Sequence, residues 1–291
     1  MVAPFPIVDA HQHFWDPRVN YHPWLCDQPP VAFRYGDYSA LRRPYLPADY
    51  FADAGRHQVV KTVYVETEWD PRDPLGEMRY VEQLRRETGF PTVAVAQAWL
   101  HQDDFAATLK GLTRFDFVRG IRHKPRPGQM AEARWREGFA QLCRSGLRFD
   151  LQVPWTLLPE AAQLARNFPD ARIILNHSGL PSDRSRAGIS GWKEALRLLA
   201  ACPNAAIKVS GLGVPGQPWS AESNREVVLA AIDLFGIGRS MFASNFPVDG
   251  LCASFDAIVT GMRAILRDFP APEQRAFFHD NAIRIYDMER T

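Results

Sequence analysis

The chain has 291 residues, 46% hydrophobic and 23% charged, a composition that suits one large α/β domain. Its 34 lysines and arginines almost cancel 33 aspartates and glutamates, so no global field marks it for nucleic acid or an anionic membrane surface. The four cysteines, Cys26, Cys143, Cys202 and Cys252, are dispersed, which excludes a disulfide framework or a Cys-x-x-Cys zinc site; with no signal-like start and no apolar run near the roughly 18 residues of a membrane span, the expected location is the cytoplasm.

The first predicted strand is Ile7-Val8-Asp9-Ala10-His11-Gln12-His13. Strand alternation sets Asp9, His11 and His13 on one face and Val8, Ala10 and Gln12 on the other. A His-x-His pair at a strand end can give two nitrogens to a metal ion or two proton carriers to a substrate. Residues 14–50 then show neither helical nor strand periodicity and carry many prolines and aromatics, among them Trp15, Trp24, Phe33, Tyr35 and Tyr45. A loop of this length reads as a wall or lid over a site, or as an apolar plug on a rim.

From Val59 a pattern repeats: a β-rich run, a polar break, an amphipathic helix. The runs fall at 60–67, 92–98, 117–122, 147–153, 172–177, 206–210 and 241–245, which with the first strand makes eight. The clearest helical stripe is Phe255, Ile258, Val259, Met262, Ile265 and Leu266. The tail, residues 272–288, reads as one closing helix. Eight strands alternating with helices predict an α/β chain folded as a (β/α)8 TIM barrel, one domain over 1–291, with a long aromatic and proline-rich loop after strand 1. No Gly-x-Gly-x-x-Gly, Gly-x-Ser-x-Gly or phosphate loop suggests a dinucleotide fold, a serine hydrolase or a nucleotide hydrolase.

A barrel keeps its chemistry at the C-terminal strand ends. Those ends offer His11 and His13; Glu66 and Glu68; Arg122, His123 and Lys124; Gln152; His177; Ser210; and Asn245 with Asp249 just beyond. His11, His13 and His177 can form a three-nitrogen set with one open position, the habit of a catalytic zinc, or can polarise a carbonyl directly with no metal. Glu66 is open to three roles: ligand, general base or partner of Arg122. Arg122 carries the fork that recognises carboxylates and carbonyl oxygens, and His123, Lys124, Trp15 and Gln152 complete the expected substrate contacts. His22, His57, His101 and His279 read as surface or capping residues.

The segments Val-Asp-Ala-His-Gln-His-Phe-Trp-Asp at 8–16, Val-Arg-Gly-Ile-Arg-His at 118–123, Leu-Asn-His-Ser-Gly at 175–179 and Phe-Ala-Ser-Asn-Phe-Pro-Val-Asp at 242–249 resemble the amidohydrolase superfamily. The likeness is to its amidohydrolase-related branch, which holds L-fuconolactonase and 2-pyrone-4,6-dicarboxylate lactonase. It implies a hydrolase opening a lactone or related ester of a sugar acid or aromatic-catabolic acid, with His11, His13 and His177 central and Arg122 the strand-4 arginine. The alternatives are a metal-dependent decarboxylase and a catalytically disabled small-molecule binder. The family commonly ends strand 8 in an aspartate where this chain has Asn245, so Asp249, Glu66 or a histidine would serve as base and a zinc ion would be held less strongly. The expected partner is a small anionic lactone, and self-association through the outer helices is open.

Overall fold

The computed structural model describes residues 5–290. Eight strands follow in chain order: β1 (Ile7–Gln12), β2 (Val59–Val65), β3 (Val93–Gln97), β4 (Val118–His123), β5 (Arg148–Leu151), β6 (Ile173–Leu175), β7 (Ala205–Val209) and β8 (Ser240–Phe242). Each pairs in parallel with the next. The outer strands meet just beyond β8, where Asn245 N donates to the His11 carbonyl at 2.8 Å and His13 N to the Phe246 carbonyl at 2.9 Å. The expected (β/α)8 barrel is therefore present, and it closes through the segment that carries Asn245.

Burial on both faces explains why the strands read as continuous apolar runs. Val63, Val65, Val93 and Val95 fill the barrel, while Tyr64, Phe149 and Leu175 join the layer beneath the helices. The helix Phe255–Leu266 buries all six residues of its predicted stripe and is capped by Ser254, whose Oγ accepts from Ala257 N at 3.1 Å. Removing such a cap costs about 1 kcal/mol.

Two expectations need correction. The tail helix is not regular throughout: Ala271–Arg275 and Asn281–Tyr286 are joined without a break by a π-helical turn, Ala276–Asp280. That widened turn buries Phe277 and Phe278 and lets Tyr286 enter the barrel floor, where its hydroxyl donates to Asp150 at 2.9 Å beside the Lys208 ion pair at 2.5 Å.

The second correction concerns β1. Asp9 lies opposite Thr62 but Gln12 lies opposite Tyr64, so β1 carries one residue more than β2 between those pairs. This bulge inverts the alternation. Asp9 does not share a face with the histidines: it is buried in the outer layer, accepting from Tyr50 at 2.7 Å and from Ser244 N at 2.8 Å. Past the bulge His11 and His13 both turn to the barrel mouth, on the side already occupied by Val8 and Ala10.

The loop after β1 is tied at its base by paired bonds between Trp15 and Tyr45, at 2.9 and 3.0 Å. It serves both expected purposes. Tyr38 and Tyr45 are buried as a plug, while Trp15, Trp24 and Phe33 face a cavity at the C-terminal mouth.

Candidate active site

The cavity holds about 320 Å³, within the range of small-molecule sites. Under it the three histidines gather. The His11 ring lies 4.9 Å from that of His13 and 4.5 Å from that of His177. His177 stands past the end of β6 in left-handed backbone, φ +53°. The turn is held from outside by Trp192, fully buried, whose indole N–H donates to the Ser178 carbonyl at 2.7 Å. Glu68, Leu180 and Asn245 also line the cavity with φ of 56°. Backbone strain at non-glycine residues persists where the surroundings over-determine it, and here it collects at the cavity.

All three imidazoles are kept neutral. Burial pushes His13 down to about 3, with the charge of Arg122 adding to the effect. Burial likewise lowers His11, next helped by Lys208, and lowers His177, next helped by Arg34. His13 Nδ1 lies 2.7 Å from the Val65 carbonyl. A carbonyl only accepts, so Nδ1 carries the proton and Nε2 keeps its lone pair. That lone pair faces Asn245 Oδ1 at 3.3 Å. His177 Nδ1 meets Ser210 Oγ at 2.9 Å, which gives Ser210 its role at the strand-7 end.

Arg122 is clamped from three directions. Nε donates to the Glu66 carboxylate, Nη2 to the Glu66 carbonyl at 2.6 Å and Nη1 to Gln152 Oε1 at 2.9 Å. Burial alone would raise Glu66, but Arg122 and Lys124 outweigh it and hold the carboxyl below its usual range. Glu66 is thus the partner of Arg122, with its other oxygen accepting from Glu68 N at 2.7 Å. Lys124 pairs with Glu68 at the rim.

Asp249 is buried beneath Asn245. Its Oδ1 accepts from Asn245 Nδ2 at 2.7 Å, and Gly211 N, Tyr35 and Arg34 donate to it as well. Burial raises its carboxyl above the usual value, against the pull of Arg34 and these hydrogen bonds. A carboxylate so fully engaged is not a free general base.

Thus His13, His177, Glu66, Arg122, Lys124, Gln152, Trp15 and Asn245 all line the cavity, with His11 and Asp249 directly behind them. Trp15 presents only its ring, since its N–H donates to the carbonyls of Leu41 and Arg43. His123 does not belong there. Arg122 points inward, so its neighbour points outward, and His123 stacks 5.7 Å from His101 beside Trp135. His22 is not a surface residue either: it is fully buried, with Nδ1 3.3 Å from the Thr67 carbonyl. The sequence reading missed Arg34, which sits in the aperiodic loop where no strand-end rule applies; its aromatic neighbours Phe33 and Tyr35 are the one local signal.

The donor set suits a divalent cation in kind. His11 is buried with neither ring nitrogen hydrogen-bonded, and His13 Nε2 confronts an oxygen with no hydrogen between them. Unpartnered lone pairs of neutral imidazoles are what zinc takes up. The set is nevertheless not drawn together as ligands: among the described residues no three histidine, cysteine, aspartate or glutamate side chains form a ready metal group.

A family model described as amidohydrolase matches residues 8–288. An uncharacterized protein of Sinorhizobium fredii is 40% identical over 295 residues, 96% of this chain and 98% of its own. An L-fucono-1,5-lactonase of Burkholderia ambifaria is 29% identical, over 97% of this chain and 96% of its own. The crystal structure of an amidohydrolase from Burkholderia multivorans with bound HEPES superposes with a TM-score of 0.83 at 25% identity, covering 97% of this chain and 99% of that one. A second crystal form, with bound zinc, gives the same TM-score at 24% identity, with the same coverage of both chains. No helix among the described residues is long and apolar enough to cross a membrane.

Proposed function

The chain belongs to the amidohydrolase family, and from that premise we propose that it hydrolyses an uncharged, polyhydroxylated lactone, the ring ester of a sugar acid, to the open hydroxy acid. The observation that carries this reading is the clamped Arg122 guanidinium set beside neutral imidazoles at one cavity. The relative named as an L-fucono-1,5-lactonase supports this reading of the substrate class.

Charge at the cavity supports an uncharged substrate. Each cation at the cavity has a carboxylate of its own: Arg122 has Glu66, Lys124 has Glu68 and Arg34 has Asp249. A substrate carboxylate would meet cations already neutralised by a neighbouring carboxylate, which weakens its attraction and favours an uncharged ring over both the anionic lactone expected from sequence and a decarboxylase substrate. The walls combine Trp24 and Phe33 with the polar Thr67, Gln152 and Asn245, a mixture suited to sugar rings with hydroxyls.

In this reading Arg122 and its fixed fork stabilise the negative charge that grows on the carbonyl oxygen. As a water oxygen bonds to the carbonyl carbon, His13 Nε2 accepts its proton; the proton passes to the ring oxygen as the carbon–oxygen bond breaks. Burial makes His13 a weak base but leaves its lone pair free at working pH, and the developing oxyanion raises its basicity as the reaction advances. A divalent ion, where bound, would be held by His11, His13 and His177 and would supply Lewis acidity; it would take the His13 Nε2 lone pair, so His13 serves as base only where no ion is held. The test is a panel of aldonolactones and pyrone carboxylates. Turnover confined to the uncharged lactones supports the reading; turnover of the carboxylates alone overturns it.

A further inference from the structure

Asp249 joins three segments that are distant in sequence. Its Oδ1 accepts from Asn245 Nδ2 at 2.7 Å, the Tyr35 hydroxyl at 2.8 Å and Arg34 Nη2 at 3.3 Å; its Oδ2 accepts from Gly211 N at 2.9 Å. Tyr35 and Arg34 belong to the loop after β1. There Phe33 stacks on Trp24 with ring centres 5.8 Å apart, and Arg34 lies over the Tyr35 ring at 4.4 Å. One buried carboxylate therefore binds the wall of the cavity to the residue that faces His13.

We propose that Asp249 is a positioning residue that couples the seating of residues 33–35 to the orientation of the Asn245 amide. An amide has a donating end and an accepting end. Left free, Asn245 would turn Nδ2 toward the lone pair on His13 Nε2 and cap it. Asp249 only accepts, so it claims Nδ2 and forces Oδ1 toward His13. Two acceptors then face each other at 3.3 Å, an unfavourable contact that leaves the His13 lone pair open to a water or hydroxyl donor between them. Asp249 acts this way as a carboxylate, and the Arg34 and Tyr35 donors offset part of the burial that raises its carboxyl. Lifting the 33–35 segment removes both donors and weakens the hold on Nδ2. The site is thus set for proton transfer when the wall is in place, and is capped when it is not.

Three variants test this: Tyr35→Phe, which deletes one hydroxyl, Asp249→Asn, and the exchange pair Asn245→Asp with Asp249→Asn. The first readout is hydrogen exchange across residues 31–36 in the full-length protein. Both single variants are expected to speed it tenfold or more. The second readout is the 15N signal of His13 Nε2, expected to move from a free lone pair to a hydrogen-bonded value in Asp249→Asn. The third rests on the lactonase reading: kcat falls at least tenfold in Asp249→Asn with KM changed less than threefold, and the exchange pair recovers part of the loss. Unchanged exchange in both single variants, or an unmoved Nε2 signal, overturns the proposal. If the wild type opens no lactone, the first two readouts still decide it, so its failure is separate from failure of the substrate reading.

Discussion

Glu66 holds Arg122 with both its side chain and its backbone: the carboxylate accepts from Nε and the carbonyl from Nη2 at 2.6 Å. With Gln152 on Nη1, the guanidinium has no rotation left to lose when a substrate binds. Lysine offers a single ammonium on a flexible stem and cannot reproduce three divergent bonds. Arg122→Lys is therefore expected to lower kcat on an aldonolactone by about 10²–10³, the loss seen when one oxyanion donor is removed. Steady-state kinetics within threefold of wild type would count against Arg122 as the oxyanion partner.

The neutral histidines set the pH response of activity. An exposed histidine titrates near 6.5, whereas burial holds His13 at about 3 and lowers His11 and His177 in the same direction. Lowering pH from 7.5 to 5 therefore leaves the His13 imidazole neutral, and kcat/KM is expected to show no histidine limb across that window. An acid limb with its midpoint near 6.5 would show that the lone pair is lost to an ordinary histidine titration.

Stability responds to pH through histidines outside the reaction. Burial pushes His123 down to about 4, so between 6.5 and 4 the unfolded chain binds the proton and the folded chain does not. The unfolded state then takes up more protons, and stability falls as pH falls through that window. Replacing His123 with asparagine removes this linkage. Urea midpoints at pH 7 and pH 4 should drop further for wild type than for His123→Asn; equal drops would mean that His123 titrates normally.

Asn245 gives the histidines a neutral oxygen where a carboxylate would give a charge. Asn245→Asp is expected to raise zinc affinity about 10- to 100-fold, the scale on which single groups around a metal site act. Competition against a fluorescent chelator measures this directly in the absence of substrate. Equal affinities would show that the cation, if bound, lies away from position 245.

Gly211 occupies φ +65°, and a Cβ there would lie 2.8 Å from His177 Cβ and 3.0 Å from Arg34 Nη1. Alanine meets both the left-handed backbone penalty and the imidazole. Gly211→Ala is expected to cost about 1–3 kcal/mol of stability and to lower activity by displacing His177. A variant with wild-type denaturation midpoint and turnover would refute this crowding.

The sequence by itself determined what is local. Period-two and helical spacing assigned eight strands with helices between them, and the stripe from Phe255 to Leu266 is buried as its spacing requires. The rule that barrels keep chemistry at strand ends named the residues now found around the cavity, because side-chain type at the end of a β-run is written in the chain. Tertiary structure decided what depends on two segments at once. Whether Asp9 faces outward while His11 and His13 face the mouth depends on a bulge, which is a property of β1 against β2 and leaves no mark in either strand alone. The partnership of Glu66 with Arg122 spans 56 positions and that of Tyr35 with Asp249 spans 214, and each required a closed barrel and a folded loop before a carboxylate read as a base became a hydrogen-bond acceptor already engaged.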